Sequence, residues 1–227
     1  MTVSVYGLSY QMPEYISKSL PSMLANLHEE VCFTVVDNKT ENSAEIFSIV
    51  KPFIDSGKVK RYVQLAGNDK LNAFNRVFAL YPPDESETFF VFTELDLIVG
   101  EFDWVRETRL MQKSAILSGF KLGISNYVPP NGGHIDDGIS VGFWLMGLNT
   151  KAFKNMMDRH NLWKHPVQDY KVRGFMSQQG KQARSNKELY HLGWDLWKDD
   201  EAYFARKVAG VKWHEVSNSP IEFVYEL

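Results

Sequence analysis

Along the first hundred positions, apolar residues fall into two alternating kinds of run. The short runs TVSVYGLSY, VCFTVVDN, VKRYVQL and FFVFTELDLIV are rich in β-branched and aromatic residues and read as strands. The longer runs between them keep a helical spacing. In PEYISKSLPSMLANL, Ile16, Leu20, Met23, Leu24 and Leu27 fall on one face, Pro13 suits a first turn, and Pro21 predicts a kink. SAEIFSIVKPFI reads as a second helix with Ser43 as its N-cap, and LNAFNRVFALY as a third. Strands separated by helices of this length predict βαβ units in a mostly parallel sheet flanked by helices, a Rossmann-like α/β architecture.

The second half is less regular. SAILSGFKLGISNYV and GISVGFWLMGL read as strands joined by the turn-rich PPNGGHIDD, and TKAFKNMMDRH as a helix. The polar region 166–187, with Gly174 and Gly180, reads as a mobile loop carrying Arg173, Lys181 and Arg184, which make either a solvated basic loop, the reading slightly preferred, or cations closing over a phosphate. DDEAYFARKVAG reads as a closing helix, with acids in its first turn and Gly210 as its stop. No internal repeat or linker divides the chain. The expectation is one domain over 1–227, with 1–100 as its ligand-binding half and 101–227 carrying the remaining chemistry.

Ligands on such sheets gather at the carboxyl ends of the strands. Here those ends are polar: Ser9-Tyr10, Asp37-Asn38, Gly67-Asn68-Asp69-Lys70 and Glu94-Leu95-Asp96. Neither a G-x-G-x-x-G after the first strand nor a G-x-x-x-x-G-K-[ST] is present, which argues against a classical dinucleotide enzyme and a P-loop NTPase. Glu94 and Asp96 are two residues apart, so on a regular strand both point to one face. Two hard oxygen ligands there suit Mg²⁺ or Mn²⁺, which commonly takes one or two protein carboxylates and fills its other positions with water and phosphate. The competing account is that the pair caps a helix or pairs with Arg106 or Arg109.

Composition narrows the classes further. Lysine and arginine number 25 against 28 acids, a net charge of −3, which lacks the basic footprint of a nucleic-acid binder. Six tryptophans and 14% aromatic residues suit a pocket with flat walls. The single Cys32 excludes an internal disulfide and a multi-cysteine metal site, and its apolar neighbours predict a buried, inert thiol. With no apolar run of 18 residues and no charged-then-apolar leader, the expectation is a soluble, cytoplasmic protein without a transmembrane segment. A place within a larger parent chain stays open.

In the order and spacing of its strand ends the chain resembles the GT-A glycosyltransferases, in particular the family 2 group that uses nucleotide-sugar donors. Those proteins typically open with a strand of the kind VSVIIPTYN, where residues 3–11 here read VSVYGLSYQ. Their second strand typically ends in VVD(D/N)-x-S-x-D, where residues 35–42 read VVDNKTEN, and their fourth in D-x-D, where residues 94–96 read ELD. The resemblance implies a GT-A fold, with Ser9 and Tyr10 lining a nucleotide cleft and Asp37, beside Asn38, hydrogen-bonding base or ribose. It implies Asn68 and Lys70 in a donor-contacting loop, Asp96 on a metal that bridges two phosphates, and Glu94 and Leu95 completing the donor and metal site. Departures stand at Glu94 for Asp, at Lys70 for a frequent glycine, and at Asn75-Arg76 for a frequent Arg-Asn.

The same resemblance implies a catalytic base. The group carries an E-D-x-D-L-x-x-R-like motif, and DDEAYFAR, residues 199–206, keeps the spacing from its acidic pair to Arg206, with Ala202 where a second Asp is common. Asp200 is then the base and Asp199 its neighbour, although acids at a helix start are also favoured by the helix dipole alone. Asp136 and Asp137 are the alternative base. Trp194 and Trp197 read as an acceptor platform or as core, and His214 as a third ligand for Mn²⁺. The expected activity is metal-dependent, inverting transfer of a sugar from a nucleotide-diphosphate sugar, a UDP-sugar, to a glycan or other hydroxyl acceptor. The alternatives are a sugar-phosphate nucleotidyltransferase and a non-catalytic nucleotide- or carbohydrate-binding module on the same fold.

Overall fold

The computed structural model describes residues 2–9, 13–38, 41–66, 73–122, 144–160, 169–192 and 221–226. In chain order these form β1 (Val3–Ser9), α1 (Pro13–Ala25), β2 (Val31–Asp37), α2 (Ser43–Asp55), β3 (Arg61–Leu65), α3 (Ala73–Leu80), β4 (Phe89–Glu94) and β5 (Leu97–Val99). They continue with α4 (Trp104–Gln112), β6 (Leu117–Leu122), β7 (Leu145–Asn149), α5 (Thr150–Arg159), α6 (Asp169–Gln179), β8 (Gln182–His191) and β9 (Ile221–Glu226).

All seven residues of β1 are buried. A strand with neighbours on both sides and helices on both faces is buried throughout, so its sequence reads as a near-continuous apolar run, with Ser4 and Ser9 buried through hydrogen bonds. Successive side chains still alternate. Val3 and Val5 join Ile16, Leu20 and Met23 of α1, Ile46, Val50 and Ile54 of α2, and Trp104 of α4 in one core. Tyr6 and Leu8 join Val77 and Phe78 of α3, Phe153 and Met156 of α5, and Met176 of α6 in the other. The sheet is therefore the middle of three layers, with α1, α2 and α4 on one face and α3, α5 and α6 on the other.

The strand order is β5-β8-β6-β7-β4-β1-β2-β3-β9. Pairings β1–β2, β2–β3 and β1–β4 are parallel and fill the N-terminal half. The second half is mixed, with β7 antiparallel to β4 and β6, and β6 parallel to β8. From β1 to β3 the chain steps outward through α1 and α2 on one face, then returns past β1 to β4 through α3 on the other. A right-handed crossover whose direction reverses must change faces. Helices α2 and α3, which follow the adjacent strands β2 and β3, accordingly pack on opposite faces of the sheet.

Several expectations change. The run 89–99 is two strands: it bends at Leu95-Asp96, and β5 pairs antiparallel with β8. The alternation argument for placing Glu94 and Asp96 on one face therefore lapses. The region 166–187, expected as a mobile loop, contains α6 and most of β8. The N-cap of α2 is Asn42, without a side-chain cap, and Ser43 is the first helical residue. Helix α1 runs on through Pro21. Cys32 is half-buried rather than buried, and that burial pushes its thiol pKa up. Helix α4, capped by the Asp103 carboxylate on the Arg106 N–H at 2.9 Å, and β9, antiparallel to β3, carry no clear sequence signal. The helix expected at 199–210 and the loop PPNGGHIDD lie outside the described residues. Among the described residues no helix is long and apolar enough to cross a membrane.

Candidate functional site

Register brings the strand ends together. Ser9 of β1 pairs with Asp37 of β2, Asp37 with Gln64 of β3, and Leu8 with Glu94 of β4. The ladder runs one residue past the strands, where Asn38 N–H donates to the Ser9 carbonyl at 3.1 Å. Ser9, Asp37 and Gln64 thus lie in one row at the carboxyl edge, with Glu94 across β1 from them.

Asp37 is fully buried, at 0% exposure, and its carboxylate is held by protein donors. Tyr62 OH donates to Oδ2 at 2.5 Å and Ser9 Oγ to Oδ1 at 3.2 Å. Tyr62 also reaches the Ser43 carbonyl at the start of α2, at 3.4 Å. Burial, then the adjoining Asp37 carboxylate, push the Tyr62 pKa far above the usual phenol range, so the proton stays on the phenol. Ser9, Asp37 and Asn38 are all buried and form the floor of this edge.

Glu94 and Asp96 are both half-buried. Glu94 N–H donates to the Trp144 carbonyl at 2.8 Å, and the Asp96 carbonyl accepts from Leu192 N–H at 2.8 Å, so backbone from two neighbouring segments fixes both residues. Leu95, expected to complete the donor site, lies in the core at 2% exposure. Its N–H donates to the Leu8 carbonyl at 2.9 Å and its carbonyl accepts from Ser19 Oγ at 2.7 Å. Arg109, offered as a partner for the acidic pair, forks onto Glu29 with Nε–Oε2 at 2.9 Å and Nη2–Oε2 at 2.5 Å.

Glu94 and Asp96 are hard oxygen donors of the type a divalent cation takes while it keeps most of its shell for water and phosphate. No group of three or more His, Cys, Asp or Glu gathers among the described residues. Tyr10, Asn68, Lys70, Asp136, Asp137, Trp194, Trp197, Asp199, Asp200 and His214 lie outside the described residues. Lys181 and Arg184 are described: Lys181 precedes β8, and Arg184 stands within it, paired with Gly119 of β6. Tyr62 was not singled out in the sequence. The available signal was a tyrosine inside an apolar strand, since a buried phenol usually needs a hydrogen-bond partner.

No protein-family model matches the chain, and no curated protein sequence matches it either. Solved structures do. The mannosyltransferase PcManGT from Pyrobaculum calidifontis, in complex with GDP-Man and Mn²⁺, aligns with a TM-score of 0.60 at 13% identity, over 92% of this chain and 65% of that one. The chain has a GT-A-like fold. TarS of S. aureus aligns with a TM-score of 0.58 at 15% identity, over 84% of this chain and 36% of that one. The 4-diphosphocytidyl-2C-methyl-D-erythritol synthase from Anaerococcus prevotii aligns with 0.56 at 13%, over 82% and 87%. The chain thus spans about a third of TarS and just under two thirds of PcManGT. At these identities the likeness concerns the fold.

Proposed function

We propose that the protein is a glycosyltransferase that moves a sugar from a nucleoside-diphosphate sugar to a hydroxyl acceptor with the help of Mn²⁺ or Mg²⁺. The observation that carries this is the row of strand ends: Ser9, Asp37 and Gln64 in register, with Glu94 and Asp96 beside them, on the carboxyl edge of a GT-A-like sheet. Asp96 and Glu94 would hold the metal, with His214 as the further candidate ligand. A bound cation would supply positive charge beside the leaving diphosphate. The donor nucleoside lies over Asp37 and Asn38, with Tyr10, Asn68 and Lys70 around it.

In this account Asp200, beside Asp199, takes the proton of the acceptor hydroxyl. The acceptor oxygen bonds to the anomeric carbon as the bond to the diphosphate breaks, inverting that carbon. Trp194 and Trp197 form the acceptor platform. The donor is taken as a UDP-sugar, with GDP-sugars tested beside it because PcManGT was solved with GDP-Man. A reducing, cytoplasmic setting, read from the lone Cys32, belongs to the same proposal.

The cytidylyl-type synthase among the structural neighbours, similar in length, keeps a sugar-phosphate nucleotidyltransferase as the second reading. Against it, GLSYQMPEY after β1 lacks the glycine-rich, basic loop such chemistry normally uses. Product analysis separates the two. Incubation with nucleotide sugars, Mn²⁺ and simple glycan acceptors should release nucleoside diphosphate. Release of pyrophosphate from nucleoside triphosphate and a sugar phosphate would overturn the transferase assignment, and no turnover with either set would favour a non-catalytic binding module.

A further inference from the structure

Helix α1 turns a polar stripe toward the segment that begins between the two acids. Ser19 and Ser22 are three residues apart and Asn26, just past the helix end, is four further on, so the three fall on one side. Ser19 Oγ donates to the Leu95 carbonyl at 2.7 Å, Ser22 Oγ accepts from Val99 N–H at 3.1 Å, and Asn26 Nδ2 donates to the Gly100 carbonyl at 3.0 Å. Residues 95–100 are thus strapped to α1. Ser19 is 0% exposed, on a helix whose neighbouring Ile16, Leu20 and Met23 belong to the core. Alanine would suit that core and the helix better, so the serine is explained by the bond it makes rather than by its burial.

The place of that bond matters. The Leu95 carbonyl and the Asp96 N–H belong to one rigid peptide plane, and the Glu94 carbonyl and the Leu95 N–H to the plane before it. Ser19 anchors the first plane, and the Leu8 carbonyl anchors the second through Leu95 N–H at 2.9 Å. Two anchored planes fix φ and ψ of Leu95, and those two angles set how Glu94 and Asp96 stand to each other. We propose that Ser19 is a positioning residue of the metal site: it holds the Leu95–Asp96 peptide so that both carboxylates reach one divalent cation. This rests on the reading above that Glu94 and Asp96 hold Mn²⁺ or Mg²⁺. Ser19 itself touches neither metal nor nucleotide. A small hard cation tolerates little error in the placing of its oxygens, so a loosened peptide costs metal affinity before it costs the fold.

Affinity for UDP and GDP, each with Mn²⁺ and with EDTA, is measured in the wild type, Ser19→Ala, Ser19→Cys, Ser22→Ala and Asn26→Ala, with melting temperatures in parallel. The readout is the Mn²⁺ increment, the ratio of the two affinities for the preferred nucleotide. In Ser19→Ala it should fall about tenfold, the usual cost of losing a group that orients a metal ligand, with affinity in EDTA unchanged. Ser19→Cys keeps the side-chain volume with a much weaker donor, so it should show the same loss, and it decides the matter if Ser19→Ala does not fold. Ser22→Ala and Asn26→Ala remove bonds farther along the strap and should keep the wild-type increment, whatever they do to the melting temperature. An unchanged increment in the Ser19 variants would overturn the proposal while leaving the metal reading standing. So would an equal loss in all four variants in step with melting temperature, which is what a merely structural role predicts. A wild type that binds nucleotide equally well in Mn²⁺ and in EDTA, or not at all, would overturn both.

Discussion

Gly7 of β1 makes room for Leu95: a methyl group at Gly7 would lie 2.8 Å from Leu95 Cδ2 and 2.9 Å from Phe33 Cε1. Leu95 separates the two candidate metal ligands, and its N–H is tied to the neighbouring Leu8 carbonyl. The bare backbone at Gly7 thus lets the Glu94–Asp96 bend settle against β1. Gly7→Ala should cost about 1–3 kcal/mol through overpacking and displace the acidic pair with it. Urea denaturation reads the first effect and Mn²⁺-dependent nucleotide affinity the second. Full stability in that variant would mean that Leu95 rearranges at no cost.

Asp96→Ala tests the metal directly. The fold should remain, since the residue is half-buried at a bend and its backbone bond to Leu192 needs no side chain. Nucleotide affinity should lose its Mn²⁺-dependent increment and fall to the level the wild type shows in EDTA. Retention of that increment would place the metal elsewhere.

Asp200→Asn should leave nucleotide binding unchanged and lower turnover by about 10²–10⁴-fold, the usual contribution of a general base. Steady-state rates with saturating donor and acceptor would measure it. Near-normal turnover would move the base to Asp136 or Asp137.

Stability of the parallel half draws on Glu87, a buried carboxylate that accepts from Ser4 N–H at 2.7 Å and Ser4 Oγ at 3.0 Å. Glu87→Ala leaves both donors buried without that acceptor and should cost about 1–3 kcal/mol, read from equilibrium unfolding. Nucleotide affinity should be unaffected, because Ser4 stands near the opposite end of β1 from Ser9.

The four parallel strands and their helices were legible because burial on both faces writes long apolar runs, and α1 to α3 keep helical spacing between them. Legibility failed where backbone pairing outweighs side-chain pattern. Strand β8 buries only Ser185 and Leu189 among the side chains described in it, and bonds to β6 and β5 mainly through its main chain, so QARSNKELYH reads as a loop. The bend at Leu95-Asp96 was hidden because apolar residues continue on both sides of it. At the site, Asp37 was recognisable as a strand-end carboxylate. Its clamp was not, because Tyr62 lies 25 residues on in sequence and meets it only through the β2–β3 register.

The central claim is that this edge binds a nucleoside diphosphate with a divalent metal. It is tested most directly by melting the purified protein with UDP, GDP, dTDP and CMP and their common sugars, each with Mn²⁺ and again with EDTA. A ligand bound only by the folded state must raise the melting temperature. The account predicts a rise for one nucleotide class that disappears in EDTA. Melting curves identical to the ligand-free protein across the whole panel would contradict it.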